Sequence, residues 1–274
     1  MRRRRRNLTR APILDSGGRR PYKVSVHYPS AGTSRRPFRG GSMSETLADS
    51  FAADPFAGLR ETMVERQIRT FDVSDLAVQE RMKTVPREIF VDDAYVSLAY
   101  SDARVLVTGT SPRELTAPLI LGRMLKEAHV RATDRALVVG GASGYAAALL
   151  AGLALSVVSL DEDAALSARA QASFTRLCLA NATSVTGPLR QGAAAAAPFD
   201  LILVDGVVTG GLEALCDQLT EGGRMVAIVG DAPGARTGRA TLFTRADSQT
   251  SGCGLFSASA ATLTALTAPP VFVF

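Results

Sequence analysis

Between residues 136 and 232 short apolar runs alternate with stretches of helical character, and this alternation limits the possible folds more than any other feature. The runs 136–139, 156–160, 201–204 and 225–229 each suit one strand, and the intervening 144–153, 163–180 and 209–219 suit helices. Strands joined by crossover helices lie parallel, and strands that read as continuous apolar runs are buried on both faces. The expected fold class is therefore α/β, a doubly wound, mostly parallel sheet. A helical part precedes it. Leu59, Met63 and Ile68 predict a helix over about 56–70, introduced by Asp54-Pro55 as N-cap and first-turn proline. A second is expected over 74–84, with Ser74 as cap, Leu76, Val78 and Met82 as apolar positions and Val85-Pro86 as its stop. A third follows Pro118 and runs to about Ala128. Residues 240–246 and 253–273 read as further strands around a turn near Ser251-Gly252.

Several classes are excluded. The longest apolar run, 145–160, is interrupted by Gly152, Ser156 and Ser159 and ended by Asp161, Glu162 and Asp163. It is shorter than the roughly 18–20 apolar residues of a membrane span, so no membrane helix is expected. The net charge of +5 is unevenly spread. Residues 1–42 carry twelve Arg or Lys against the single acid Asp15, and the rest of the chain holds 19 basic and 25 acidic residues. The basic character belongs to the N-terminal stretch, and any nucleic-acid reading rests on that stretch alone. Rich in Arg, Gly, Ser and Pro and without hydrophobic periodicity, 1–42 is expected to be a disordered basic tail, or to precede a natural start at Met43. The expected folded part is then a single α/β domain over 43–274. Cys178, Cys216 and Cys253 are scattered, without C-x-x-C spacing or neighbouring histidines, which argues against zinc and suits a reducing compartment such as the cytoplasm.

A candidate ligand loop lies at Leu137-Val138-Val139-Gly140-Gly141-Ala142-Ser143-Gly144-Tyr145, a strand running through a glycine-rich turn into a helix. Such a turn sits at the carboxyl end of a strand, where open α/β sheets bind ligands. Asp161 ends the next strand, where an acid accepts hydrogen bonds from ribose hydroxyls. The dinucleotide fingerprint G-x-G-x-x-G fails at Ala142 and Tyr145, and no Gly-Lys-Ser/Thr exists for a P-loop. A nucleoside without pyrophosphate, such as S-adenosylmethionine, fits better. The alternative is a tight strand–helix turn with no ligand.

Several stretches, in order over roughly 56–273, resemble the protein-L-isoaspartate O-methyltransferase family. They are Met63-Val64-Glu65-Arg66-Gln67-Ile68-Arg69, Val85-Pro86-Arg87-Glu88-Ile89-Phe90-Val91 against V-P-R-E-x-F-V, and Leu98-Ala99-Tyr100-Ser101-Asp102 against L-A-Y-x-D. The glycine loop, Phe199-Asp200 with its strand, and Glu221-Gly222-Gly223-Arg224 continue the series. The V-P-R-E-x-F-V stretch is the specific one. The resemblance implies a seven-stranded methyltransferase-like sheet, S-adenosylmethionine as cofactor, and isoaspartyl-containing proteins or peptides as partners in a protein-repair reaction. It also implies a cofactor site at Gly140, Ala142, Ser143, Gly144 and Asp161, with Thr116 standing where the family's active-site serine stands.

The chain departs from the family pattern at identifiable places. Pro112-Arg113-Glu114 replaces Gly-Gln-Thr ahead of Thr116, Val138 replaces an acid in the first strand, and Ala142 replaces a loop glycine. The family's Gly-Asp-Gly near the adenine has no counterpart around Pro188. Asp205, after the Phe-Asp strand, is either a new polar contact to the cofactor or the cap of the next helix. Two readings follow: a working methyltransferase, or a catalytically degenerate member that keeps the fold for binding or regulation.

Overall fold

Successive residues of each central strand enter different cores. Ala136 and Val138 pack with one cluster, Leu137 and Val139 with the other, and Leu201/Ile202 and Met225/Val226 repeat the alternation. A pleated strand sends neighbouring side chains to opposite faces, so a strand apolar at every position must be covered twice. In the computed structural model, which describes residues 54–110 and 113–267, both faces are covered.

In chain order the elements begin with α1 (Ala57–Met63), whose winding continues through a wider turn, Val64–Ile68, and a tighter one, Arg69–Phe71. Asp54 accepts the Phe56 N–H at 2.9 Å just ahead of it. Next come α2 (Leu76–Thr84), a short hairpin of β1 (Val105–Val107) and β2 (Arg113–Leu115), and α3 (Pro118–Glu127). The α/β part follows: β3 (Arg135–Val139), α4 (Tyr145–Leu150), β4 (Ser156–Asp161), α5 (Ala164–Arg176), β5 (Ala182–Thr186), β6 (Phe199–Val208), α6 (Glu213–Asp217) and β7 (Leu219–Val229). A hairpin of β8 (Thr237–Ala246) and β9 (Gln249–Ser259) ends the sheet.

The seven strands lie in the order β5-β4-β3-β6-β7-β8-β9. Those from β5 to β7 run parallel, β8 runs antiparallel to β7, and β9 antiparallel to β8. The expected doubly wound, mostly parallel seven-stranded sheet is thus present. From β3 the chain builds first toward β5 and then, from β6, in the opposite direction. The reversal falls between the carboxyl ends of β3 and β6, where open α/β sheets have their ligand crevice.

Some local expectations change. The cap of α2 is Asp75, not Ser74: its carboxylate accepts the N–H groups of Ala77 (2.8 Å) and Val78 (3.1 Å). Leu76 is 76% exposed and belongs to the solvent face, whereas Val78 and Met82 are buried. The C-terminal hairpin turns at Asp247-Ser248, both with positive φ, rather than at Ser251-Gly252. The strand β5 was not anticipated, because Ala182–Thr186 is short and half polar. The expected 1–42 tail and the end of the 253–273 strand reading lie outside the described residues.

Candidate active site

Three segments converge on the crevice, and the motifs set apart in the sequence hold them there. Tyr100 accepts from the Arg87 backbone N–H (3.1 Å) and from Arg60 Nη1 (3.0 Å), and donates to Glu88. This network fixes the Pro86-Arg87-Glu88 turn. From that turn the fully buried Arg87 extends its guanidinium over the Tyr145 ring, 4.6 Å from the centroid, and donates from Nη2 to the Thr116 carbonyl at 2.9 Å. Asp102 accepts the Leu119 N–H at 3.2 Å, fixing the start of α3 just past Thr116. The Val-Pro-Arg-Glu and Leu-Ala-Tyr-Ser-Asp stretches are therefore the scaffold of Thr116.

Within the glycine loop the backbone turns sharply, with φ of +74° at Gly140, +47° at Ala142 and +97° at Gly144. A Cβ at Gly144 would lie 2.8 Å from Ala170 and 2.9 Å from the Phe174 ring, so close helix packing already requires glycine there. The Ala142 N–H donates to Asp161 Oδ2 at 3.1 Å. Ser143 faces away from the crevice, its hydroxyl donating to the Phe90 carbonyl. Tyr145 packs edge-on against Phe90, with centroids 5.5 Å apart.

Asp161, 2% exposed, ends β4 as expected but is already engaged. Its Oδ1 accepts the Asp163 N–H at 3.0 Å and Arg113 Nη2 at 3.0 Å. Arg113 thus compensates Asp161 rather than its neighbour Glu114, whose carboxylate pairs with Arg236 and Arg104. Sequence reasoning missed the Arg113–Asp161 pair, and its one signal was a cation appearing in the altered loop.

Asp205 lies inside β6, not at a helix cap. Val139 pairs with Val204, so Asp205 stands beside Gly140, where the loop begins. The β6–β7 register shifts between Leu203 and Val207, and such a bulge redirects a side chain out of the regular pleat. Gly206 suits the bulge, since a Cβ there would lie 2.6 Å from Leu263 Cγ and 2.9 Å from the Ala261 carbonyl. Burial pushes the Asp205 carboxyl up to about 6, the nearby Asp161 charge acting the same way. Its hydrogen bond with Thr116 and the Arg87 charge pull against this. The structure therefore brings Thr116, Asp205, Asp161 and the loop together. Among the described residues, Arg87 Nε and Nη1, Tyr145 Oη and Asp205 Oδ1 are buried without a hydrogen-bond partner. Buried polar groups are normally satisfied, and a cluster of exceptions marks a place built for something else.

No group of three or more metal-ligating side chains is found among the described residues, and no helix among them is long and apolar enough to cross a membrane. The protein-L-isoaspartate(D-aspartate) O-methyltransferase family model matches residues 59–252. A protein-L-isoaspartate O-methyltransferase of Koribacter versatilis is 39% identical over 175 residues, 64% of this chain and 78% of that protein. One from Burkholderia mallei is 34% identical over 234 residues, covering 82% of this chain and 72% of that protein. A solved protein-L-isoaspartate O-methyltransferase structure superposes with a TM-score of 0.67 at 25% identity, over 74% of this chain and 65% of that one. The fold is shared with a Plasmodium falciparum protein described by the same activity and solved in complex with S-adenosyl-L-homocysteine, at TM-score 0.63 and 20% identity, over 74% of this chain and 97% of that one. With a family model covering most of the chain and the motif residues forming the scaffold of one crevice, the chain belongs to the protein-L-isoaspartate(D-aspartate) O-methyltransferase family.

Proposed function

We propose that this chain catalyses its family's reaction, S-adenosylmethionine-dependent methylation of the free carboxylate of an isoaspartyl residue in a protein or peptide. The observation that carries the reading is the convergence of Thr116, Asp205, Asp161 and the 140–144 loop on one crevice at the strand reversal. The residues fit the cofactor in charge: the crevice offers two buried carboxylates, one with an unpartnered oxygen, to a ligand that carries cationic groups and ribose hydroxyls. When bound, S-adenosylmethionine supplies an activated methyl group. Asp161, Asp205 and the 140–144 loop would hold the cofactor, and the methyl would pass to a carboxylate oxygen with the sulfur–carbon bond broken and a neutral thioether released.

The chain has little proton chemistry to perform, because a carboxylate with an ordinary pKa near 4 is already ionised at neutral pH. Its task is alignment of acceptor and methyl at about 3–3.5 Å. Arg87 holds the Thr116 carbonyl and Asp102 holds the Leu119 N–H just beyond it for this purpose, and the Thr116 hydroxyl, once turned from Asp205, would steady the acceptor carboxylate. Asp161 takes the ribose hydroxyls once Arg113 withdraws from it. We place the protein in the cytoplasm, a reading supported by the unpaired thiols of Cys178, Cys216 and Cys253.

Label transfer from methyl-labelled cofactor to an isoaspartyl peptide, with the matching aspartyl peptide as control, tests the reading. Isoaspartyl-selective, base-labile incorporation is expected. Absence of incorporation while the cofactor binds would favour the degenerate alternative, for which the engaged Asp161 is the relevant observation.

A further inference from the structure

Of the unpartnered buried atoms, Asp205 Oδ1 has the clearest chemical requirement. It is an acceptor in a residue only 5% exposed, so it lacks a donor. The groups facing the carboxylate are few. Thr116 approaches from the junction of β2 and α3, Arg87 from the turn before β1, and Asp161 from the end of β4, while Tyr145 faces Arg87. Arg87 is the one cation among them, and its hydrogen bond goes to the Thr116 carbonyl rather than to Asp205. A desolvated carboxylate in this position calls for a cation that carries hydrogen.

We propose that Asp205 is the acceptor for the α-ammonium group of the cofactor's amino-acid end, supplying a carboxylate from β6 where the neighbouring β3 carries Val138. The inference rests on the cofactor reading above. Beside Gly140, Asp205 adjoins the first residue of the ligand loop, and Val138 stands two residues before Gly140 on the neighbouring strand. The sulfonium of the cofactor carries no hydrogen, so the α-ammonium is the cationic donor available to Oδ1. The isoaspartyl carboxylate, by contrast, would bring a second acceptor to an acceptor without a donor. With its carboxyl raised to about 6 by burial, Asp205 is partly protonated in mildly acidic solution. Docking of an ammonium favours the ionised form, so binding expels a proton there and weakens as the pH falls.

The test is calorimetric titration of the full 274-residue chain and its Asp205→Asn variant with two ligands. S-adenosylhomocysteine carries the amino-acid end, and methylthioadenosine lacks it. Loss of a charge-assisted hydrogen bond predicts a homocysteine-derivative affinity about ten- to hundredfold weaker in the variant, with methylthioadenosine unchanged within about twofold. In the unsubstituted chain, titrations in two buffers of different ionisation enthalpy show proton release near pH 6, which the variant abolishes. Equal loss of both ligands, loss of neither, no binding of the homocysteine derivative, or proton release that survives the substitution would each overturn the proposal. Isoaspartyl methylation together with Asp205-independent binding would sink this proposal alone. Asp205-dependent binding without methylation would sink only the proposed reaction.

Discussion

Burial sets the chemistry of Asp205 before any ligand arrives. Desolvation carries its carboxyl from the ordinary 3.8 to about 6, so in the folded chain the ionised form is the strained one. Below about pH 4 the group is protonated in folded and unfolded chains alike and costs nothing. The cost grows as pH rises from about 4 to about 6 and is constant above. Asp205→Asn is therefore expected to raise stability by about 2–3 kcal/mol at pH 7.5, at about 1.4 kcal/mol per pH unit, and by almost nothing at pH 4. Urea denaturation at the two pH values checks this, and an equal gain at both would show that the carboxyl is not desolvated. The substitution proposed to weaken cofactor binding should thus strengthen the fold, as happens where a site retains strain for function. Thr116, Asp161 and Asp205 were all legible as candidates from the sequence. The approach of Thr116 to Asp205 was not, because it joins residues far apart in the chain.

The β1–β2 hairpin is tied to the sheet by polar contacts of its own. Arg113 on β2 ties it to Asp161 on β4, Thr110 ties it to Asp163 ahead of α5, and Glu114 ties it to Arg236 ahead of β8. Under the proposed function, a ribose competing for Asp161 would have to displace Arg113, and binding would be weakened by the fraction of molecules in which Arg113 occupies the acid. Replacing Arg113 by Ala is expected to tighten methylthioadenosine binding by about three- to tenfold on this argument. Calorimetry measures it, and weaker binding in the variant would mean that Arg113 contributes to the ligand site instead of blocking it. Long apolar or periodic elements were legible. The hairpin was not, since strands of three residues with mixed burial carry no usable period.

At the scale of the molecule, one buried ion pair fastens the helical part to the sheet. Arg224, in the Gly-Gly-Arg stretch of β7, donates to the carbonyls of Ala128 and His129 past the end of α3, both at 2.6 Å, and to Asp134 just before β3. Both side chains are nearly inaccessible, at 7% and 3% exposure. Removing one partner leaves the other charged and buried, which costs about 3–5 kcal/mol. Arg224→Ala should show that loss in chemical denaturation, whereas a change below about 1 kcal/mol would place the pair in solvent. The stretch is thus a fastening between the helical part and the sheet, which accounts for its place in the motif series. The basic stretch 1–42 is expected to add no stability to the folded part: a chain beginning at Met43 should keep its melting temperature and its methyl transfer, and a drop in either would refute that.

What the sequence by itself determined is whatever is encoded locally: the strand and helix periods, the glycine turn after β3, the acid ending β4, and through the motif series the family and its sheet. These follow from side-chain alternation and backbone preference within a few residues, so they survive without knowledge of the rest of the chain. Only the tertiary structure decided which charges meet. Arg113 reaches Asp161 across 48 positions, Arg87 reaches the Thr116 carbonyl across 29, and the bulge in β6 sets Asp205 beside Gly140 with one oxygen unpartnered. Such pairings depend on which strand ends lie side by side and how much water they exclude, and both are properties of the packed sheet rather than of any segment within it.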